Sequence, residues 1–135
     1  MGNIKVRKIR AEDLILTDIW WIQHNEVPPT VSQLPDEGLS GFVVEKNNRP
    51  IAAAFLYLTN SSVAYIANAI SNKKYKGKDR FEMIRLLLSA CEEKAISSGC
   101  DFIWCTSSLR GVEKRCLKSG YKLIEKGHKV MAKNI

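Results

Sequence analysis

The chain lacks any apolar run long enough to cross a membrane; the longest, Ile51 to Leu58, falls far short of the ~20 residues a spanning helix needs. The N-terminus, MGNIKVRKIR, has no apolar h-region, so no secretory signal is expected. Gly2 suggests myristoylation, but Val6 stands where that motif requires Ser or Thr. Potential metal ligands are also scarce. There are two histidines, His24 and His128, and four cysteines, Cys91, Cys100, Cys105 and Cys116, with no C-x-x-C among them. That spacing does not fit a structural zinc site, and the simplest account is reduced thiols in a cytosolic protein. Of only four prolines, three (Pro28, Pro29 and Pro35) fall in one segment.

What is present suits one domain spanning residues 1–135. With 45% hydrophobic residues, folding can bury about two-thirds of the surface of the unfolded chain. Twenty-one Lys and Arg against 14 Asp and Glu leave a net charge of +7. That excess favours anionic partners such as phosphorylated cofactors, nucleic acid or acidic proteins, or it is simply a solvated basic surface.

Ile4 to Ile9 alternates apolar and basic residues and reads as a strand. Glu12 and Asp13 open a helix-period run through Leu14, Ile15, Ile19, Trp20 and Ile22, ending near His24. Adjacent Trp20 and Trp21 cannot share one helix face, so one is expected to pack inward while the other covers a groove. The proline-containing segment from Glu26 to Gly38 is long for a loop, which suggests that it binds or covers something, unless it is a loose surface excursion.

From Gly41 the period changes. Phe42 to Lys46, Ile51 to Thr59 and Val63 to Ile70 read as three strands joined by tight turns, an antiparallel meander. A basic loop from Ser71 to Arg80 then enters a helix whose apolar face is Ile84, Leu87, Leu88, Cys91 and Ala95, stopping at Gly99. Asp101 to Thr106 reads as a strand and Leu109 to Ser119 as a helix. Tyr121 to Glu125 and Lys129 to Ala132 read as two last strands turning around Lys126, Gly127 and His128. This order makes a mixed α/β domain.

The loop from Ser71 to Arg80 is the most informative stretch. Lys73, Lys74, Lys76, Lys78 and Arg80 surround a helix start, whose unpaired N–H groups and dipole favour phosphate. The same run could equally be a solvated charge cluster with Asp79 as the helix N-cap.

The meander, the K-K-Y-K-G-K loop, the long helix, the strand after it and the K-S-G-Y turn together resemble the GNAT acetyltransferase superfamily. In that superfamily the loop reads R/Q-x-x-G-x-G/A and the last helix ends Y-x-x-x-G-F. The resemblance runs over nearly the whole chain and is strongest from Gly41 to Tyr121. Short members occur in phage genomes, which fits a chain of this length. The resemblance implies a GNAT-like α+β fold, with a mostly antiparallel sheet of six to seven strands flanked by helices. It also implies acetyl transfer from acetyl-CoA, as cosubstrate, to an amine by direct attack. The acceptor would be a small molecule or a protein. By the same resemblance, backbone at Ala69, Ile70 and Ser71 would meet the pantetheine arm and help to stabilise the oxyanion. The pyrophosphate would lie on Lys76, Gly77, Lys78, Asp79, Arg80 and Phe81.

Several positions depart from the pattern. Asp79 and Phe81 stand where the two loop glycines fall, bringing a negative charge and bulk where glycine would let backbone approach the phosphates. Cys116 stands at the general-acid tyrosine; its thiol could protonate a leaving thiolate, or it is a small buried residue. Tyr65 stands at the strand position of a catalytic carboxylate, and a phenol is a poor base near neutral pH, so it reads better as a wall. On the acceptor side His24 could relay a proton and Glu26 could attract a cationic amine, with Asp36 and Glu37 as weaker candidates. Two other readings stay open: a GNAT-like module that binds CoA or a partner without catalysis, and a nucleic-acid modification protein supported by the basic charge and the tryptophans. No membrane partner or metal is implied, and monomer and homodimer are equally compatible with the sequence.

Overall fold

The computed structural model describes residues 2–106, 110–127 and 131–135. The sequence-read strands appear as β1 (Ile4–Lys8), β2 (Gly41–Lys46), β3 (Arg49–Leu58), β4 (Val63–Ser71) and β5 (Phe102–Cys105). The helices are α1 (Asp13–Gln23), α2 (Arg80–Ser97) and α3 (Arg110–Lys118). The five strands form one sheet in sequence order, with the first three pairings antiparallel and β4–β5 parallel. The parallel pair requires a crossover, and α2 supplies it.

The β2–β3 hairpin turns on Asn47 and Asn48, both with positive φ, which matches the right-handed twist of the strands it joins. Beyond it, Ala52 to Leu56 are buried on both faces of the sheet. One face carries Val44, Ala52, Ala54, Leu56, Ala64 and Ile66 against Met83, Leu87, Leu88, Cys91 and Ala95 of α2. The other carries Val43, Ala53, Phe55 and Ile70 against Trp20 and Trp21 of α1. Small alanines in β3 let both helices lie close, and each fully buried large side chain, such as Phe55 or Leu56, contributes ~1.5–3 kcal/mol.

Three sequence expectations change. Trp20 and Trp21 are both buried, at 3% exposure each, and neither covers an open groove. Trp21 stacks on Phe55 with ring centroids 6.1 Å apart. Indoles are long enough to reach one core from adjacent positions, while Ile15, Ile19 and Ile22 point to solvent. The segment from Glu26 to Gly38 carries two short 3-10 turns, Val31–Gln33 and Pro35–Gly38, and Leu34 anchors it in the core. Finally, the described sheet has five strands, below the six to seven expected. Tyr121 to Glu125 is not a strand: it pairs with no strand of the described sheet, and Leu123 and Ile124, which would have to be buried to hold it there, are both exposed. Leu109, the turn at His128 and the start of the second expected strand, at Lys129 and Val130, lie outside the described residues.

Candidate active site

β4 is longer than its partner β5, and a cleft opens there. Val63 to Ile66 pair with Phe102 to Cys105, whereas Ala67 to Ser71 continue with no strand on that side among the described residues. A bulge accompanies the parting. Between the pairs Phe55–Ala67 and Ala53–Ile70, β4 advances three residues while β3 advances two. Asn68 takes up a positive φ of 56° there, a conformation asparagine tolerates better than most residues. A bulge bends its strand, and this one turns the end of β4 away from β5 and leaves Asn68 and Ala69 exposed. The Asn68 amide donates to the Tyr57 hydroxyl at 2.7 Å, and that hydroxyl donates to the Gln33 carbonyl at 3.1 Å. Burial pushes the Tyr57 phenol up, only partly offset by Asn68.

Of the expected backbone contacts, Ala69, Ile70 and Ser71 all lie on this open stretch. Ile70 turns its side chain into the core, and the Ser71 carbonyl is already occupied by His24 Nε2 at 3.0 Å. A carbonyl only accepts, so Nε2 carries a proton and donates it. Next to it, the Lys73 amide donates to Gln23 Oε1 at 3.0 Å. Two hydrogen bonds therefore fasten the end of α1 to the root of the basic loop. His24 is brought to the cleft, while Glu26 lies exposed beyond it.

In the loop itself Lys73, Lys74, Lys76, Lys78 and Arg80 are exposed and form no ion pair among the described residues. Asp79 is not the capping residue the sequence allows: it occupies the N-cap position of α2 without a side-chain cap bond. Its carboxylate faces back to the sheet, where Lys46 Nζ donates at 2.6 Å and the Tyr75 hydroxyl donates as well. Lys46 and then Tyr75 hold the Asp79 carboxyl below its usual range, and Asp79 in turn raises both partners. The negative charge expected to face a phosphate is thus neutralised by a lysine 33 positions earlier. Gly77 is needed beside this knot, because a Cβ there would overlap the Tyr75 phenol and the Asp79 carboxylate. Phe81 is 53% exposed and flanks a groove of about 130 Å³ with Arg85, Lys118 and Ser119, between the start of α2 and the end of α3.

The remaining expected residues separate onto opposite sides of the sheet. Tyr65 lies on the α1 side, tilted 6.0 Å from the Trp104 ring, with Phe102 edge-on to Trp104 beyond it. Cys116 lies on the α2 side, where its thiol donates to the Cys105 sulfur at 3.6 Å. Cys105, through its hydrogen bond, holds the Cys116 thiol below its usual range despite burial. Cys105 itself is pushed up, first by that same bond and then by burial. Tyr65 and Cys116 therefore do not form one acid–base pair. Lys46, Tyr57, Asn68 and Tyr75 were not singled out from sequence; only Asn68, a lone polar residue breaking the apolar run of β4, left a local signal there. Among the described residues no cluster of three ligand side chains is assembled for a metal ion, and no helix is long and apolar enough to cross a membrane.

No family model matches the chain, and no curated protein matches it. Solved structures do. The aminoglycoside N-acetyltransferase AAC(6')-Iy in complex with CoA superposes with a TM-score of 0.67 at 15% identity, covering 99% of this chain and 96% of that one. A putative acetyltransferase from Agrobacterium tumefaciens gives 0.65 at 15% identity, covering 95% and 99%. N-acetylglutamate synthase from Neisseria gonorrhoeae, complexed with coenzyme A and L-arginine, gives 0.66 at 14% identity. That match covers 87% of this chain but only 27% of the synthase. With its parted β4 and β5, its basic loop and its crossover helix, the chain has the fold of the GNAT acetyltransferases.

Proposed function

We propose that the protein is an acetyl-CoA-dependent N-acetyltransferase acting on an amine. The observation that carries this reading is the edge of β4, open among the described residues, leading directly into a helix start ringed by five cations that form no ion pair among those residues. An extended ligand with amide groups can pair with free strand backbone, and a pyrophosphate can settle on helix N–H groups and lysines. CoA has both parts in that order, and structural neighbours are crystallised with it. In this reading Ala69, Ile70 and Ser71 flank the pantetheine, and Lys76, Gly77, Lys78, Arg80 and Phe81 surround the phosphates. Asp79 acts indirectly, by fixing the loop to Lys46.

The amine nitrogen attacks the thioester carbonyl, the oxygen becomes an oxyanion met by backbone N–H groups of the bulged strand, and the thiolate departs. Cys116 is assigned as the donor that protonates the leaving sulfur, with Cys105 behind it. His24, whose Nδ1 is the ring nitrogen that the Ser71 carbonyl does not take up, is assigned as the relay that takes the proton from the amine. Tyr65 is a wall of the acceptor side, and Glu26, Asp36 and Glu37 supply negative charge that draws in a cationic acceptor.

Thermal unfolding with saturating acetyl-CoA tests the reading. Ligand at about 100 times its dissociation constant adds ~2.7 kcal/mol, a rise of several degrees for a domain of this size. Acetyl-CoA and CoA should both raise the midpoint while ATP does little, and K76E/K78E should abolish the rise without changing the unliganded midpoint. No rise with either form of CoA would refute the reading.

A further inference from the structure

Two thiols that the proposed chemistry needs in reduced form lie in contact. Cys105 ends β5 at the mouth of the cleft and Cys116 sits in the middle of α3, their sulfurs 3.6 Å apart and both half-buried. We propose that Cys105 and Cys116 form a reversible intramolecular disulfide when the protein meets a hydroperoxide, and that this bond is a redox modification site of the protein.

A disulfide requires the sulfurs to close to about 2.05 Å, a movement of roughly 1.5 Å that side-chain rotation and a small shift of α3 can supply. The two thiols also divide the labour of oxidation. Cys116 ionises first because the Cys105 thiol stands ready to donate to its thiolate, and the thiolate is the species that attacks peroxide. Cys105 is held protonated beside it. The nearby Cys91 thiol is fully buried in the core and pushed up to about 12, chiefly by burial, so it stays inert. Among the described residues, Glu92 and the Tyr121 hydroxyl also face the pair. Glu92 opposes ionisation of Cys116, and burial, then Glu92, raises the Tyr121 phenol.

The chemistry balances with hydrogen peroxide as oxidant. The Cys116 thiolate attacks one peroxide oxygen, the O–O bond breaks, and the sulfenic acid forms as hydroxide leaves. The Cys105 sulfur then attacks the Cys116 sulfur, the S–S bond forms and the S–O bond breaks. The departing oxygen takes the Cys105 proton, so two thiols and one peroxide give one disulfide and two waters. Thiol reductants reverse the bond by exchange. The bond forms whatever the protein transfers; that it halts transfer by removing the Cys116 proton rests on the function proposed above.

Peptide mapping decides the matter without any activity assay. Full-length protein is treated with a few equivalents of hydrogen peroxide, free thiols are blocked, and the protein is digested with trypsin without reduction. Cys105 falls in the peptide 95–110 and Cys116 in 116–118, so the disulfide appears as those two joined, lighter by two hydrogens than their sum. It should form in wild type and in a C91S/C100S double variant, vanish in C105S, and be lost on adding dithiothreitol. Recovery of Cys116 as blocked free thiol, as sulfinic acid, or joined to the peptide 86–94 would overturn the proposal. So would persistence of a 95–110 to 116–118 link in C105S, since Cys100 would then be the partner. A disulfide found in a protein that shows no CoA-induced midpoint rise would uphold this site and discard the function.

Discussion

Asp79 shows how one neighbour changes the meaning of a residue. Next to five cations and a helix start, an aspartate should repel phosphate, yet Lys46 and Tyr75 take up both of its carboxylate oxygens. Lys46 is therefore a positioning residue for the loop: it orders Asp79 and cancels its charge. K46Q should leave the Asp79 charge at the loop with only the neutral Tyr75 hydroxyl as partner and weaken CoA binding roughly five- to tenfold, the effect of one added unit charge a few ångströms away in water. K46Q/D79N should recover most of that loss, because the charge goes with its counter-charge. Titration of CoA at low and high salt checks both, and the K46Q deficit should shrink as salt rises. The five cations were legible in the sequence because they are contiguous. Lys46 was not, because only the fold brings the end of β2 against the start of α2. Cys116 was legible as a position, but its environment was not: its partner Cys105 approaches from a strand, and no spacing rule announces that contact.

At the scale of elements, β4 shapes the cleft. Its pairing with β5 ends after Ile66, and the bulge at Asn68 turns the remaining residues outward. A β-branched residue at a φ of 56° carries about 1–2 kcal/mol of strain. N68V should therefore lower stability by about that amount and, by flattening the bulge, weaken CoA binding. N68G keeps the conformation accessible and loses only the exposed bond to Tyr57, so its denaturation midpoint should stay near wild type. Urea denaturation of the two variants separates backbone strain from side-chain loss; equal destabilisation would mean that the Tyr57 bond, rather than the bulge, matters. The strands and helices themselves were legible, since alternation in β1 and 3.6-residue periodicity in α2 are backed by burial of the expected faces. The bulge left one local trace, a polar residue between alanines, in a strand that otherwise reads as continuous. α1 misled because its three isoleucines, which define the apolar period, face solvent, while Asp13, Thr17 and both tryptophans are buried.

For the whole molecule, a polar knot on the α1 side of the sheet ties β1, α1 and β2 together. Arg7 of β1 donates two bonds of 2.8 Å to Asp13 of α1 and one of 3.0 Å to Glu45 of β2, and the Arg10 amide donates to Asp13 at 2.7 Å. Sequence alone could not reveal this knot, because its three charged members read as ordinary surface residues of separate elements. Burial alone would raise the Asp13 carboxyl, but the Arg7 guanidinium and the Arg10 amide outweigh it and hold Asp13 below its usual range. A carboxyl depressed in the folded state stabilises the protein fully above its unfolded value. That contribution is lost as pH falls below the ordinary value of 3.8 toward the lower folded one. D13N should thus cost about 2 kcal/mol near neutral pH, less than the ~3–5 kcal/mol of a fully orphaned buried pair because Arg7 keeps Glu45. Urea midpoints of wild type and D13N, measured from about pH 7 to pH 3, should show that deficit constant down to about pH 5 and then shrinking. A deficit that stayed constant to the acid end would assign Asp13 to packing alone. Its disappearance there would identify the knot as one origin of acid unfolding, linking α1, and with it His24 at the cleft, to the protonation of a single carboxylate.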